Sequence, residues 1–362
     1  MGERPISCTV SGVPYTERMD SGLLRSLAAA AIAAPSADNH HVFRIAAEHT
    51  TISLLAAPEL AEAPKGRRIL AQISIGCVIE NLILRAARHG VELRLRAPET
   101  TGGGQILAQL DAHVAAPVES PLDQAIETRH TNRRFFYHGP RLSSAIQSEM
   151  SRFSAGLDGA QLHWLDEPDR RRQAVQLVKL AEVERFRNPW LHREMFESIR
   201  FDAGWRESVA EGIPLGALDL PWIERPAFPL MRHWSVQRAA NLVGLHRFIG
   251  LRGAALPCRL APHLCVITAG QDLTTGSVDA GRLLQRVWLH AERLGLAFQM
   301  FAASAVYAIE GAYPVPPILR QRLADGWNQI CPGSQPYLVF RLGYAKPPTL
   351  RAGRPPAETI LA

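Results

Sequence analysis

The chain has 362 residues, of which 47% are hydrophobic and 20% are charged, and its formal net charge is +6. This is the composition of an ordinary globular protein with room for two domains or one large domain. The positive charge is nearly all arginine, and it is spread along the chain instead of forming a stripe interleaved with aromatic residues. The sequence therefore disfavours a nucleic-acid partner.

The cysteines and the apolar runs narrow the class of protein further. The five cysteines are irregularly spaced and include no Cys-x-x-Cys pair, which argues against a disulfide framework and against a zinc site. Residues 1–20 contain no apolar segment of the signal-peptide type, and no apolar run is long enough to span a membrane. We therefore expect a reduced, soluble, cytoplasmic protein with no metal site and no membrane partner.

Predicted helices and strands alternate in the first third of the chain. An irregular arm at 1–20 comes first, Pro35 ends the first helix, and Gly90 ends the long second helix. Gly102–Gly104 form a predicted turn. The predicted elements are helices at 22–34 and 67–89 and strands at 42–48, 51–56, 91–97 and 106–114.

The remaining chain continues as helices and strands with one exception. The segment 188–234 is rich in Trp, Pro and Phe with weak periodicity, and we interpret it as an excursion that covers part of the molecule. The other predicted elements are helices at 121–128, 143–153, 167–186, 235–249, 280–294 and 317–324 and strands at 160–165, 263–269, 296–302 and 336–342.

Two helix–glycine–strand units resemble each other. Residues 75–91 can be aligned with residues 280–296, because both units have a glycine in second place and end in glycine followed by an apolar residue. Leu84 then matches Leu289. Such a repeat predicts two copies of one fold packed as an intramolecular pair. The alternative is that two buried helices share a composition by chance.

The stretch Arg129–Phe135 (Arg-His-Thr-Asn-Arg-Arg-Phe) is the candidate binding segment and is called the Arg129 turn below. It places four cationic or potentially cationic side chains and one hydroxyl within six residues, after a predicted helix end. A planar guanidinium can donate to two phosphate oxygens at once, so this pattern favours a site for one compact anion. The alternative is a solvated basic turn.

The segment Pro35–Asn39 (Pro-Ser-Ala-Asp-Asn), the Pro35 loop, presents a hydroxyl, a carboxylate and an amide after a helix end. Such a loop can bind a polar heterocycle, although a turn that caps the helix explains the same residues. The sequence contains no glycine-rich nucleotide loop after a strand, no Gly-x-Ser-x-Gly and no nucleophile–base set. If the chain is an enzyme, a cofactor carries its reaction.

In this order the motifs resemble those of nitroreductase-like flavoproteins, whose single-repeat members are dimers with FMN at the interface. Those proteins have an Arg-x-Ser/Thr-x-Arg/Lys turn and a Pro-Ser-x-x-Asn loop. The Arg129 turn matches the first motif, and the Pro35 loop matches the second. Because the loop precedes the turn, the chain resembles the fused, two-repeat branch that includes the Acg-type proteins.

The resemblance implies an α+β, nitroreductase-like fold. Two repeats, each a mostly antiparallel sheet flanked by helices, would form an intramolecular pseudo-dimer. Repeat one would span 21–120 and repeat two 121–362, with the lid-like excursion at 188–234 and a basic C-terminal tail. The protein would then be a monomer or a weak homodimer.

The resemblance also implies an FMN site in which arginines hold the phosphate and the Pro35 loop reaches the ring from the other repeat. The flavin would carry the chemistry without a catalytic side chain, and NAD(P)H would reduce it. The implied FMN contacts are Pro35, Ser36, Ala37, Asn39, Arg129, His130, Thr131, Arg133, Phe301, Ala302, Arg351 and Arg354.

Two features depart from the family pattern. The family follows the asparagine of the loop with x-Gln-Pro-Trp, whereas this chain has His40-His41-Val42-Phe43. Repeat one has no Arg-x-Ser-x-Arg turn before its helix, so we expect one FMN per chain.

Four hypotheses for the function follow. The leading one is an FMN-dependent NAD(P)H oxidoreductase that acts on a small organic substrate. The second is a flavin-sequestering protein with little turnover, in which the excursion denies substrates access. The third is a redox modification partner of an adenylating enzyme of the ubiquitin-activating type. The fourth is a basic interaction module without a cofactor.

Overall fold

The structure, a computed structural model, describes residues 20–96 and 106–362. The predicted turn at Gly102–Gly104 and all but the last residue of the predicted arm at 1–20 lie outside these ranges. Within them the chain is α+β, with two four-stranded antiparallel sheets, one short parallel strand pair, and helices packed against the sheets.

The first sheet lies in residues 43–114. Its strands are β1 (Phe43–Glu48), β2 (Thr51–Ala56), β3 (Val91–Leu95) and β4 (Ile106–Val114). They have the spatial order β1-β2-β4-β3, and each neighbouring pair is antiparallel. Alternation buries Phe43, Ile45, Ile52 and Leu54, so one face of the β1–β2 hairpin contributes to the core.

The second sheet is more completely buried than the first. The later strands are β5 (Gln161–Trp164), β6 (Ile199–Arg200), β7 (Ile213–Pro214), β8 (His263–Ala269), β9 (Ala297–Phe301) and β10 (Gln335–Gly343). The sheet has the order β5-β8-β10-β9 and is antiparallel, while β6 and β7 pair in parallel apart from it. Every residue of β8 is buried, including His263 and Thr268, as the largely apolar sequence of this strand predicts.

Several helices differ from the prediction, and capping residues explain two of the differences. The helix predicted at 280–294 begins seven residues earlier, at Leu273, because the Asp272 carboxylate accepts hydrogen bonds from the Thr274 and Thr275 amides. The excursion contains an unpredicted helix that Asn188 caps. The helix predicted at 235–249 is two helices, because Gly244 adopts a φ of 89° between them.

The α-helices of the described residues surround both sheets. They are α1 (Ser21–Ile32), α2 (Pro58–Ala61), α3 (Lys65–Arg88), α4 (Pro121–Ala125), α5 (Ser144–Ser151), α6 (Pro168–Arg187), α7 (Pro189–Glu197), α8 (Trp234–Leu242), α9 (Leu245–Ile249), α10 (Leu256–Leu260), α11 (Leu273–Arg293), α12 (Ala303–Val306) and α13 (Pro317–Ile330).

The long helices α3 and α11 pack directly against each other. They join the part of the chain up to residue 120, which holds the first sheet and is called the first half below, to residues 121–362, which hold the second sheet and are called the second half. Two glycines permit the close approach. A Cβ added to Gly76 would lie 2.1 Å from the Val278 carbonyl oxygen, and a Cβ added to Gly281 would lie 1.9 Å from the Ile73 carbonyl oxygen. These helices are the ones aligned in the predicted repeat; their origin from one repeated unit stays a prediction.

Polar side chains also cross the α3–α11 contact. The Gln285 amide donates to Asn81 Oδ1 over 2.6 Å. Arg282 and Arg286 both donate to Glu80 Oε1, over 2.6 and 2.8 Å. Because Glu80 is buried, this paired arrangement gives the contact a fixed register along the helices.

Helix α3 is long and apolar enough, by length and composition alone, to cross a membrane, but 72% of its most apolar window is buried inside the molecule. That burial is typical of a central core helix. In the part of the chain that the structure describes, no group of three or more His, Cys, Asp or Glu side chains is arranged to hold a metal ion.

Candidate functional site

A cavity of about 1080 Å³ is lined by residues from both halves of the molecule. All twelve residues for which the sequence predicts cofactor contacts lie on its wall: Pro35, Ser36, Ala37, Asn39, Arg129, His130, Thr131, Arg133, Phe301, Ala302, Arg351 and Arg354. Small-molecule pockets have volumes of roughly 300–1,000 Å³, so the cavity is large enough for a cofactor and a substrate. The structure brings the twelve residues together; their role in cofactor binding stays a prediction.

The Arg129 turn is held in place by Asn132, which is buried. The Asn132 amide N–H donates to the Phe298 carbonyl of β9 over 2.9 Å, and its Nδ2 donates to the Lys346 carbonyl over 2.9 Å. Tyr137 Oη donates to the Asn132 carbonyl over 2.5 Å. Asn132 thus ties the turn to the second sheet through its backbone and to the C-terminal tail through its side chain.

Arg341 supports the same turn from β10. Its side chain is fully buried and its guanidinium carbon lies 3.9 Å from the centroid of the Tyr137 ring. Nη1 donates to the Phe135 carbonyl over 2.9 Å, and Nη2 donates to the Arg134 carbonyl over 2.5 Å. The backbone of the turn is therefore fixed independently of any ligand.

Arg129 enters the cavity from the second half and is only 5% exposed. Its Nη2 donates to the Ala33 carbonyl in the first half over 2.9 Å, and its guanidinium carbon lies 4.3 Å from the centroid of the Trp288 ring. Its Nε has no hydrogen-bond partner within the described ranges. Burial, together with the nearby charge of Arg354, lowers the pKa of Arg129 to about 9. An anion bound in the cavity would stabilise this buried cation.

Asn39 completes the Pro35 loop in the left-handed region, with φ of 59° after Asp38 with φ of 54°. Asparagine and aspartate tolerate this region better than most residues. The Asn39 Nδ2 donates to the carbonyls of Ala210 and Gly212 over 3.1 and 3.0 Å, and its Oδ1 accepts from Arg354 Nη1 over 2.5 Å. Asn39 therefore joins the first half to the excursion and to the C-terminal tail.

The other three predicted arginines make contacts with backbone carbonyls. Arg133 Nη1 donates to Ala217 over 3.3 Å, and Arg351 Nη1 donates to Thr128 over 3.4 Å. The Nε of Arg354 has no partner in the described part of the chain. Burial lowers the pKa of Arg133 and of Arg354.

The remaining predicted residues lie around these arginines. His130 Nδ1 donates to the Thr128 carbonyl over 2.8 Å and lies 3.7 Å from a Glu292 carboxylate oxygen. Ser36 Oγ lies 3.4 Å from His41 Nε2. Thr131 contributes its hydroxyl-bearing side chain to the wall of the cavity. The residues with apolar side chains that complete the set are Pro35, Ala37, Phe301 and Ala302.

The charges on the cavity wall are unevenly paired. Five carboxylates of the wall each have a guanidinium partner, in the pairs Asp38–Arg67 (2.6 Å), Glu127–Arg85 (3.1 Å), Glu182–Arg185 (3.2 Å), Asp219–Arg134 (3.2 Å) and Glu224–Arg252 (2.9 Å). By contrast, Arg129, Arg133 and Arg354 form no ion pair with a carboxylate among residues 20–96 and 106–362. Glu292 acts on Arg129, and Asp38 and Asp219 act on Arg133, only from beyond salt-bridge distance. The cavity therefore has spare positive charge, which suits an anionic ligand.

The excursion at 188–234 forms part of the cavity wall. Its apolar lining side chains include Met195, Ile199, Ile213, Phe228 and Met231. Within the excursion, Phe196 and Ile199 are buried together with Phe186 of α6 in a small core of their own. The cavity thus combines unpaired guanidinium groups with an apolar wall, as ligand pockets commonly do.

Sequence reasoning missed Asn132 and Arg341 as supports of the site. Asn132 lies inside the predicted turn, but nothing local distinguishes it from a solvated residue. Arg341 is the only charged residue in an otherwise apolar strand, and this is the one signal that could have identified it.

No family model matches the chain. Among curated proteins, the uncharacterized protein MT1398 of Mycobacterium tuberculosis (strain CDC 1551 / Oshkosh) is 25% identical over 342 residues, which cover 91% of this chain and 46% of that protein. The chain therefore spans slightly less than half the length of this curated relative.

Similar solved structures include the FMN-dependent nitroreductase NfnB of Mycobacterium smegmatis in complex with NADPH (TM-score 0.34, 15% identity, 62% of this chain and 88% of that chain). Another is the NADPH:FMN oxidoreductase of Vibrio harveyi complexed with NAD+ (TM-score 0.36, 11% identity, 67% of this chain and 76% of that chain). A third is a nitroreductase with bound FMN from Bacteroides fragilis NCTC 9343 (TM-score 0.35, 11% identity, 65% of this chain and 96% of that chain). These scores and identities are low, so the residues of this chain carry the proposal that follows.

Proposed function

We propose that the chain binds one FMN in the cavity and is a nitroreductase-like oxidoreductase that uses NAD(P)H to reduce a small organic substrate. The observation that carries the proposal is the meeting of Arg129, Arg133 and Arg354 at one cavity without a carboxylate partner in the described part of the chain. The order of the Pro35 loop and the Arg129 turn, with the resemblance that it implies, supports the same proposal.

The residues present fit a phosphate-bearing cofactor. The Nε atoms of Arg129 and Arg354 are buried donors without partners among the residues that the structure describes, and a phosphate oxygen would satisfy them. Arg133 and Thr131 would complete the phosphate contacts from the same half. Ser36 and Asn39 would reach the ring system from the other half, as the family resemblance implies.

FMN, when bound, supplies the capacity to accept a hydride from NAD(P)H and pass it to a substrate. The chain's own part is to bind and orient. Its arginines would fix the phosphate end, while Asn39 would hold the loop, the excursion and the tail together around the cavity. The apolar wall that includes Ile199 and Phe228 would exclude water from the reacting region.

The test is the absorption spectrum of the purified chain after incubation with FMN, compared with that of the double variant Arg129→Ala and Arg133→Ala. The wild-type chain should be yellow. Each charge-assisted hydrogen bond contributes roughly 1.5–3 kcal/mol, so the double variant should bind FMN more than tenfold more weakly.

The matched control is Arg25→Ala, which removes an exposed arginine that does not line the cavity. Circular dichroism should show that both variants are folded. A colourless wild-type chain that takes up no FMN would contradict the proposal, and so would a double variant with full flavin content.

A flavin-sequestering protein is the second candidate, and the observation that favours it is the contribution of the excursion to the cavity wall. Such a cover can deny a second ligand access to a bound cofactor. Steady-state NAD(P)H oxidation with quinone or nitroaromatic acceptors separates the two functions. Bound FMN with turnover supports the oxidoreductase, whereas bound FMN without turnover supports sequestration.

A further inference from the structure

The surface formed by residues 222–260 is rich in exposed apolar side chains. Nine of the fifteen large apolar side chains that are exposed in the described ranges lie in this segment: Trp222, Ile223, Leu230, Val236, Leu242, Val243, Phe248, Leu251 and Leu260. At the turn between α8 and α9, Leu242 and Val243 are 87% and 89% exposed. Single exposed apolar residues are ordinary, but a cluster of this kind indicates an interaction surface.

The same segment is strongly basic. It contains six arginines and a single acidic residue, Glu224, which is already paired with Arg252 over 2.9 Å. Four exposed arginines have no carboxylate within salt-bridge distance in the part of the chain that the structure describes: Arg232, Arg238, Arg247 and Arg259. Exposed apolar side chains interleaved with unpaired arginines are typical of a surface that meets anionic lipid.

This surface is continuous with the mouth of the cavity. Ile223, Leu230, Val236 and Phe248 are exposed to solvent and also line the cavity. A layer of acyl chains against these residues would therefore lie beside the cavity opening.

We propose that residues 222–260 dock on an anionic lipid surface, with the arginines at the headgroups and the apolar side chains at the acyl boundary. A second copy of the chain is the poorer occupant, because a symmetric contact would bring the same unpaired arginines together. The docking requires no spanning helix. It differs from the expectation of no membrane partner drawn from the sequence, and it stands independently of the proposed function.

The experiment is flotation of the full chain with two kinds of vesicle, phosphatidylcholine alone and phosphatidylcholine mixed with phosphatidylglycerol. The wild-type chain should float with the mixed vesicles, and added salt should weaken the binding. Two double variants remove one feature each: Leu242→Ser with Val243→Ser, and Arg238→Gln with Arg247→Gln. Each should weaken binding on the order of tenfold or more.

The matched controls are Ile318→Ser, an apolar side chain that is 82% exposed on α13, and Arg25→Gln. Both should bind like wild type. None of the substituted residues lines the cavity, so all variants should keep the wild-type FMN content, and loss of docking is distinguishable from failure of the proposed function.

Three results would overturn the docking. The first is no flotation of the wild-type chain with the mixed vesicles. The second is equal losses in the control variants and the surface variants. The third is that the wild-type chain binds no vesicles but forms a concentration-dependent dimer, seen by light scattering, and that the Leu242→Ser and Val243→Ser double variant does not form this dimer.

Discussion

His41 is the residue that links the site to pH. Its imidazole is buried beside the Pro35 loop, and its Nε2 lies 3.4 Å from Ser36 Oγ. Burial and the charge of Arg354 lower its pKa from 6.5 to about 4. Between these values the unfolded chain binds a proton that the folded chain does not bind. The contribution of His41 to the free energy of unfolding is therefore present above pH 6.5 and is lost as the pH falls toward 4.

We expect His41→Gln to reduce this pH dependence, because glutamine does not titrate. In the wild-type chain His41 should account for about 3 kcal/mol of lost stability between the two pH values. Urea unfolding across that window, for wild type and variant, measures the difference. The control is His113→Gln, which removes an exposed histidine. Parallel curves for wild type and His41→Gln would show that His41 titrates normally in the folded chain.

The residues of the site were predictable to different degrees. The donors in the Arg129 turn and the Pro35 loop could be identified because their residue types and their spacing indicate which ligand groups they can bind. Asn132 and Arg341 could not, because their importance lies in which carbonyls they reach: those of Lys346 in one case and Phe135 in the other. Such partners are distant in the chain, so no local pattern indicates them.

At the scale of elements, the strands and most long helices agree with the apolar periodicity, and the differences lie at helix starts, at helix ends and at one break. Helix α13 continues to Ile330 instead of ending at 324, and Gly244 divides the helix predicted at 235–249. The early start of α11 depends on the Asp272 cap, and α7 depends on Asn188 followed by proline. Both starts are marked by a capping residue, but the apolar periodicity that follows each cap is weak, so the periodicity did not predict a helix there. The aligned glycines in the sequence indicated that α3 and α11 are related. Nothing in the sequence indicated how closely the two helices approach each other.

Gly281→Ala tests that distance. The added methyl group would meet the Ile73 carbonyl oxygen at 1.9 Å, so α3 and α11 must move apart. We expect a loss of roughly 1–3 kcal/mol or more in the free energy of unfolding, measured by urea denaturation. Gly270→Ala is the control, because its added Cβ meets no atom within 4 Å. Equal stabilities of the two variants would show that the α3–α11 contact can accommodate an added methyl group without a loss of packing.

At the scale of the whole molecule, the two sheets depend on a shared interior. The buried face of α3, which includes Ile69, Ile73 and Ile79, belongs to the same core as Leu283 and Val287 of α11. Neither half can bury these side chains alone. Cooperative folding of the complete chain follows from this arrangement.

Residues 1–120 expressed alone should therefore not fold, since the apolar face of α3 would lack its partner. We expect poor amide dispersion in the ¹H–¹⁵N spectrum and no cooperative thermal transition by circular dichroism. Addition of residues 121–362 should restore both signals. A cooperative transition in the isolated fragment would show that the first sheet is an independent domain.

The segment after β10 returns from the second sheet to the first. Arg351 and Arg354 line the cavity on the way, and the Ala362 amide donates to the Ile45 carbonyl of β1 over 2.9 Å. One segment therefore both forms part of the cavity wall and fastens the second sheet to β1. The two sheets cannot separate on this side of the molecule without opening the cavity.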